Sequence, residues 1–378
     1  MRTLLAAFVV LLTATAGAQT TDIHGTWTAE LRNNKVFLQV QAPQPEDGNR
    51  NSDWRGGWNM GQSFPVDELS GLPGNDERFT AANVKFELRR EGGTLGFEGS
   101  FRDGRGAGLF TFAPRREYIA EMRRLGYNDD IPLWRQFQLT VHDVGPRYIA
   151  ALKAEGFDKL SLDQIQRSKN HGVTIDYIKA MKAEGLKAAT LEEFVRTRDH
   201  GVTPIYIQDM RKAGFGNAAI EDLVRSKDHG VTPDYVQEIR RLGLTASTLD
   251  QFVRLRDHGV SAQYVTELKS AGYDKLATED LVRVRDRGVN AAFIRELSAH
   301  GFRNLPIEDV VRAKDHGVSA DYLADMKSLL KDASLEQVVR MRDHGVTPGF
   351  INHARARGFT TTDPDELVRL KDRGLWKD

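Results

Sequence analysis

The apolar positions in the C-terminal two-thirds of the chain recur in a fixed pattern. A short segment carries apolar residues four apart, as at Tyr235 and Ile239. A second segment follows it with apolar residues three and four apart, as at Leu249, Phe252 and Val253. Such spacing places the apolar side chains on one face of an α-helix. The pattern therefore predicts pairs of short helices, each with one buried face.

A glycine followed by valine marks the period of this pattern. We call these residues the joint glycines, and they are Gly172, Gly201, Gly230, Gly259, Gly288, Gly317 and Gly345. They are 29 residues apart, with a last step of 28, and one period before the first of them stands Asp143. A fixed period of this length is typical of repeat architectures, in which stacked copies bury faces that single short helices leave exposed. We expect a mainly α protein whose residues 114–378 form an α-solenoid of two-helix repeats, with one degenerate copy from Pro114 and about eight further copies.

Residues that cap helices mark the boundaries within each copy. Thr232 and its counterparts follow the Gly-Val pair and are good N-cap residues. Second helices open with capping boxes, such as the one that starts at Thr248. Gly243 and its counterparts end the first helices, where a glycine in the left-handed conformation is common. The copy that starts at Gly317 has Leu330 at that position and is one residue short, which predicts a local change in stacking.

Residues 19–113 show a different pattern, in which apolar and polar residues alternate. Phe86 and Leu88 belong to one such run, which ends at the Gly-Gly pair at 92–93. Alternation interrupted by turn residues predicts antiparallel hairpins. A further hairpin is predicted to turn at the Asn-Asn pair at 33–34. We expect a small antiparallel all-β domain of five to seven strands before the repeats.

The first 18 residues have the pattern of a signal peptide. Arg2 precedes an apolar stretch over 4–12, and small residues lead up to Ala18. We expect cleavage after Ala18 and a periplasmic or secreted protein. No other segment is apolar over the roughly 20 residues that a bilayer span needs. The mature chain is therefore expected to have no membrane span.

Charge and composition narrow the functional classes. The 53 Lys and Arg residues balance the 53 Asp and Glu residues, so no global basic field favours nucleic acid, and none is expected as a partner. The chain has no cysteine, which excludes disulfides and thiolate metal sites. Neither Gly-x-Ser-x-Gly nor His-Glu-x-x-His occurs. We predict no catalytic residue and no cofactor.

A histidine recurs directly before the joint glycines, as at His200 and His229. Copies of a solenoid lie roughly 8–10 Å apart. A shared zinc ion requires ring nitrogens at about 2.0–2.1 Å from the metal, so neighbouring copies cannot share one. Arg287 takes the same position in another copy, which indicates that positive charge or hydrogen bonding is what matters. We interpret these residues as C-terminal caps of the second helices, and we predict no metal site.

Two sets of residues are candidates for an interaction surface. The first, which we call the arginine row, consists of Arg196, Arg225, Arg254, Arg283, Arg312 and Arg340. An aspartate follows each of them three residues later, so the row is either a set of i,i+3 ion pairs, some of them bridging adjacent copies, or a basic ladder for an acidic ligand. The second set is Trp54 and Trp58, in or beside a polar loop. These rings either pack against the sheet or stack on the sugar rings of a cell-envelope glycan.

The segment Arg-Asp-His-Gly-Val-Thr-Pro-x-Tyr at 198–206 resembles the tandem helical repeats of exported bacterial proteins. It is also similar to repeats appended to antibiotic-sensor-like transmembrane metallopeptidases. The resemblance covers 114–378 and implies a sensory or partner-binding accessory role. It does not imply the peptidase activity, because the zinc motif and the membrane helices of that domain are missing from this sequence.

From these features we expect a non-enzymatic interaction scaffold that binds a protein or peptide partner through the helical repeats. A carbohydrate-binding protein that acts through the N-terminal β domain is the alternative. An enzyme with a site between the two domains is the third hypothesis.

Overall fold

A computed structural model of the chain describes residues 23–43, 57–74, 76–187 and 190–374. Strands come first and helices follow. The chain divides into two compact units. The first contains the described residues up to Asp176 together with Thr190–Val195, and the second contains 177–189 and the residues from Arg196 on. The predicted signal peptide over 1–18 and Trp54 lie outside the described residues.

Seven strands form one antiparallel sheet in the described part of the first unit. They are β1 (Ile23–Arg32), β2 (Lys35–Ala42), β3 (Trp58–Pro65), β4 (Leu69–Ser70), β5 (Ala81–Arg90), β6 (Gly93–Arg102) and β7 (Arg105–Pro114). Their order is β3-β2-β1-β7-β6-β5-β4. Asn33 and Asn34 have φ values of 51° and 59°, which the tight turn between β1 and β2 requires. The prediction of antiparallel hairpins at 33–34 and 92–93 is confirmed.

Helices arranged in pairs follow β7, and there are eighteen of them among the described residues. They are α1 (Glu117–Arg124), α2 (Leu133–Val141), α3 (Pro146–Ala154), α4 (Leu162–Asn170), α5 (Ile175–Ala183), α6 (Leu191–Asp199), α7 (Pro204–Met210), α8 (Ile220–Asp228), α9 (Pro233–Arg241), α10 (Leu249–Asp257), α11 (Ala262–Ser270), α12 (Thr278–Asp286), α13 (Ala291–Ala299), α14 (Ile307–Asp315), α15 (Ala320–Leu329), α16 (Leu335–Asp343), α17 (Pro348–Ala356) and α18 (Pro364–Asp372). Within the second unit, second helices of successive copies pack on one another, as α8, α10 and α12 do. None of the helices described is long and apolar enough to cross a membrane.

The predicted helix caps are present. Thr232 accepts a hydrogen bond from the backbone N–H of Tyr235 at 3.1 Å. Thr248 and Gln251 form both bonds of a capping box at the start of α10. In each of these bonds a side-chain oxygen accepts from a backbone N–H group that the first turn of a helix leaves without a partner. Gly243 ends the first helix of its copy with a left-handed φ of 77°.

The joints between copies share one backbone conformation. Gly230 has a φ of 68°, a value that suits glycine and strains most other residues. Asp143 takes the same position at the joint after α1 and α2 with a φ of 56°, which aspartate tolerates better than most side chains do. Leu330 departs from the pattern, because it ends α15 with a φ of −138° and buries its side chain.

The core of the sheet includes a helix of the first copy. Trp27 and Phe86 meet edge to face in this core, with ring centroids 5.2 Å apart. Phe137 of α2 is fully buried in the same cluster, and its ring stacks on Phe110 at 5.8 Å. The last strand ends at Pro114 and the first helix begins at Glu117, while the packing of the sheet extends beyond them to Phe137 of α2.

Candidate functional site

The arginine row links each copy to the next. Arg254 donates from Nε to the carboxylate of Glu279, in the first turn of α12, at 2.9 Å. The same contact joins Arg196 to Glu221, Arg225 to Asp250, Arg283 to Glu308 and Arg340 to Asp365. These side chains stay about half exposed, as the 48% of Arg254 and 64% of Glu279 show. The row therefore presents paired charges at the surface of the repeats.

The aspartate three residues after the arginine has another partner in five members of the row, those from Arg225 on. Asp257 lies against His229 of the preceding copy, with Nδ1 and Oδ1 2.6 Å apart. Equivalent contacts join His200 to Asp228, His258 to Asp286, Arg287 to Asp315, His316 to Asp343 and His344 to Asp372. For Arg225, Arg254 and Arg340 the i,i+3 interpretation is wrong, because both charged groups of each set pair with a neighbouring copy.

The histidines stand at the C-terminal ends of the second helices, as expected. His229 is the C-cap residue of α8, and its backbone N–H donates to the carbonyl of Arg225. Among the described residues, no group of three or more His, Asp or Glu side chains is placed to hold a metal ion.

Arg312 differs from the other members of the arginine row. The acid that corresponds to Glu279 is here Glu336, and neither side chain has an ion-pair partner within the described residues. Between them lies the copy that is one residue short and ends its first helix at Leu330. The row is thus unpaired where the repeat period changes.

In the copies that carry a tyrosine near the start of the first helix, this residue anchors the copy to the next one. The hydroxyl of Tyr235 donates to the carbonyl of Val260 at 2.7 Å, and the guanidinium of Arg256 lies 5.1 Å from the centre of its ring. Burial raises the pKa of Tyr235 to about 12, because the phenolate would lose its hydration. The sequence indicated only a core ring at this position, since Phe293 replaces tyrosine in another copy. The structure gives Tyr235 a second role, because its hydroxyl also forms a hydrogen bond to the next copy.

Trp58 packs against the first copy. Its half-buried ring meets the rings of Trp134 and Phe137 edge to face, with centroids 6.0 Å and 5.1 Å away. His142 lies 6.3 Å from the same ring, and burial lowers the pKa of this histidine. The ring of Trp58 thus packs against α2, and stacking of Trp58 on a glycan stays a prediction.

The sequence did not reveal a cleft of about 940 Å³ in the first unit. We call it the arginine cleft, because its walls include Arg89, Arg90, Arg115, Arg124 and Arg147. These arginines come from the end of β5, the segment after β7, α1 and the start of α3. They share no spacing along the chain, so no sequence pattern could have brought them together.

No protein-family model matches the chain, and no curated protein sequence matches it. The fold and the surface together define a helical-repeat protein with an N-terminal antiparallel sheet.

Proposed function

We propose that this protein is a non-enzymatic, exported interaction scaffold. Its two-helix repeats stack as an α-solenoid and bind a protein or peptide partner through their surface. The observation that carries the proposal is the arginine row, in which the same pair of cation and carboxylate recurs on successive copies with half of each side chain exposed.

Paired and exposed charges suit recognition of a partner. Arg254 and Glu279 already hold each other in place, so fewer rotamers are left to be lost on binding. A guanidinium carries five N–H donors and a carboxylate about four acceptor sites, so each pair retains groups for a partner. Charges fixed at a regular spacing favour a partner with complementary charges at the same spacing and disfavour others.

Exchanging one pair separates recognition from stability. In the double variant Arg254→Glu with Glu279→Arg, the ion pair is retained while its direction along the row is reversed. We expect stability close to that of the wild-type chain and a clear loss of partner binding. Each single variant places two like charges together and should lose a little stability as well.

Partner binding can be followed by photo-crosslinking in the cell-envelope fraction. A crosslinking residue at position 283 lies in the arginine row, and one at position 295 replaces Arg295, an exposed residue on α13 that serves as the control. We expect crosslinks to one partner from position 283 that disappear when the pair 254/279 is exchanged. Equal crosslinking from both positions, or full crosslinking in the exchanged variant, would contradict the proposal.

A further inference from the structure

The arginine cleft brings five arginine side chains together in a chain whose overall charge is zero. Three carboxylates line it as well, and two of the arginines, Arg89 and Arg90, pair with Glu87 and Glu68 outside the lining. The carboxylates are Glu91, Glu121 and Asp143. All of these residues belong to the first unit, so the cleft is separate from the arginine row of the second unit.

All three acids that line the cleft already have cationic partners. Arg115 donates to Glu121 through both terminal nitrogens, one of them at 3.0 Å, and these hydrogen bonds lower the pKa of Glu121. Arg147 donates to Glu91 from Nε at 2.6 Å and from its backbone N–H at 3.1 Å. Asp143 pairs with Lys169 at 2.6 Å, and Arg89 and Arg90 pair with Glu87 and Glu68. Among the arginines that line the cleft, Arg124 alone has no ion pair within the described residues.

Two arginines, Arg124 and Arg147, keep N–H groups available to a ligand. Arg124 is exposed on α1 and has no hydrogen-bond or ion-pair partner in the part of the chain that the structure describes. The terminal nitrogens of Arg147 make no hydrogen bond to a described residue, since only its Nε and backbone N–H are used. Arg90 does not belong with these two, because its Nε is buried and a terminal nitrogen already donates to Glu68 at 2.6 Å.

The size and walls of the cleft fit a chain-like ligand better than a single ion. A volume of about 940 Å³ lies within the roughly 300–1,000 Å³ of pockets that enclose whole small molecules. Leu125, Pro146 and Tyr148 place apolar surface between the arginines. A second cavity of about 550 Å³ shares Arg90 and Asp143 with the first.

We propose that the arginine cleft binds an acidic segment of a polypeptide, whose carboxylates are held by Arg124 and Arg147. The planar guanidinium matches a carboxylate with two parallel hydrogen bonds, which a lysine cannot offer. Single-stranded nucleic acid fits less well, because its bases require free aromatic faces. The one aromatic wall of the cleft, Tyr148, already carries the ammonium of Lys169 at 4.5 Å. This proposal does not depend on the function proposed for the repeat surface.

Fluorescence anisotropy with the full chain tests the proposal. The probe is a short fluorescein-labelled peptide of alternating glutamate and alanine, and the same peptide with glutamine in place of glutamate is its control. We expect Arg124→Gln to weaken binding about tenfold, since a hydrogen bond between charged groups is lost. The double variant Arg124→Gln with Arg147→Gln should abolish it. Arg123→Gln, next to Arg124 on α1 but outside the lining of the cleft, should bind like the wild type.

Arg124 is exposed and unpaired among described residues, so its single variant should fold normally, and circular dichroism checks this. Equal affinity of the wild type and Arg124→Gln would overturn the proposal. Binding of the glutamine peptide at the same strength would do so as well. Displacement of the peptide by equimolar inorganic phosphate would show a simple anion site, and tighter binding of a single-stranded oligonucleotide would show a different ligand class. The exchanged pair 254/279 should leave peptide affinity unchanged, which separates this result from the test of the repeat surface.

Discussion

The first helix pair, α1 and α2, is joined to the next copy in the same way as a central pair such as α9 and α10. The two pairs differ in the surface that the second helix buries. In the first pair, the hydroxyl of Tyr118 donates to the carbonyl of Val144 at 2.8 Å. In the central pair, Tyr235 makes the same bond to Val260 at 2.7 Å. Both joints that follow the second helix hold a residue with a left-handed φ, although in one it is aspartate and in the other glycine.

The second helices show the difference. Phe252 of α10 lies among the rings of its own repeats, 6.4 Å from that of Tyr235. Phe137 of α2 lies instead in the core of the sheet, and the neighbouring Gln136 donates to the carbonyl of Gly92 at 2.7 Å. A Cβ atom at Gly92 would be 2.1 Å from the hydroxyl of Thr140, so glycine is needed for this close approach. The tyrosine hydrogen bond and the left-handed residue at the joint are therefore common to both pairs. Which residues the second helix buries depends on the element that it packs against.

Truncating Phe137 should have the largest effect. Phe137→Ala removes a fully buried ring and should cost about 3–5 kcal/mol of unfolding free energy. The loss should fall on the first unit, where Trp27, Trp58 and Trp134 report unfolding by fluorescence.

Phe252→Ala is the matched control, because this ring is equally buried in the second unit. It should lower the midpoint of helix unfolding measured by circular dichroism. The midpoint measured by tryptophan fluorescence should stay nearly unchanged. If both variants shifted the two transitions alike, α2 would not be distinguished from a regular second helix.

A smaller loss is expected from Gly230→Val. The added Cβ has room, since its nearest contact is Arg256 at 3.6 Å, so the cost comes from the left-handed φ of 68° alone. Such strain costs on the order of 1–3 kcal/mol for a β-branched residue. Gly230→Asn should lose less, as the left-handed Asp143 indicates. Asp234→Ala, on the exposed side of α9, should change denaturant stability by less than about 0.5 kcal/mol. Wild-type stability of Gly230→Val would show that the joint does not need this conformation.

Local features explain what could be predicted from the sequence. A cap such as Thr232, a turn such as Asn33-Asn34 and a joint such as Gly230 each act on residues a few positions away, so a pattern along the chain is enough to find them. The partners of Arg254 and His229 lie 25 and 28 residues on. Which of several acids such side chains reach depends on how copies stack, and the period alone does not specify that.

The arginine cleft and the place of α2 were unpredictable for a related reason. Phe137 occupies a position at which core residues of the repeats also occur, so its identity does not show whether it meets a sheet or another helix. Arg90 lies on a strand and Arg147 on α3, and both line the cleft only because the first helices fold back onto the same unit as the sheet. Strands alternate with a period of two and the repeats recur every 29 residues, so a contact between a strand and a repeat follows neither pattern.

The smallest effect concerns the arginine row. Arg254→Gln removes an ion pair whose side chains are half exposed, so it should cost about 0.2–1 kcal/mol at low salt. Arg312→Gln should cost nothing measurable, because Arg312 has no ion-pair partner among the described residues. We compare denaturant melts of both variants at low salt and at about 1 M salt, where the screening length falls to roughly 3 Å. The stabilities of the two variants should differ at low salt and become equal at high salt. A double-mutant cycle with Glu279→Gln isolates the pair from other effects of losing the arginine. Equal losses for Arg254→Gln and Arg312→Gln at low salt would show that the ion pair adds nothing to the stacking of the copies. The arginine row would then matter for a partner alone.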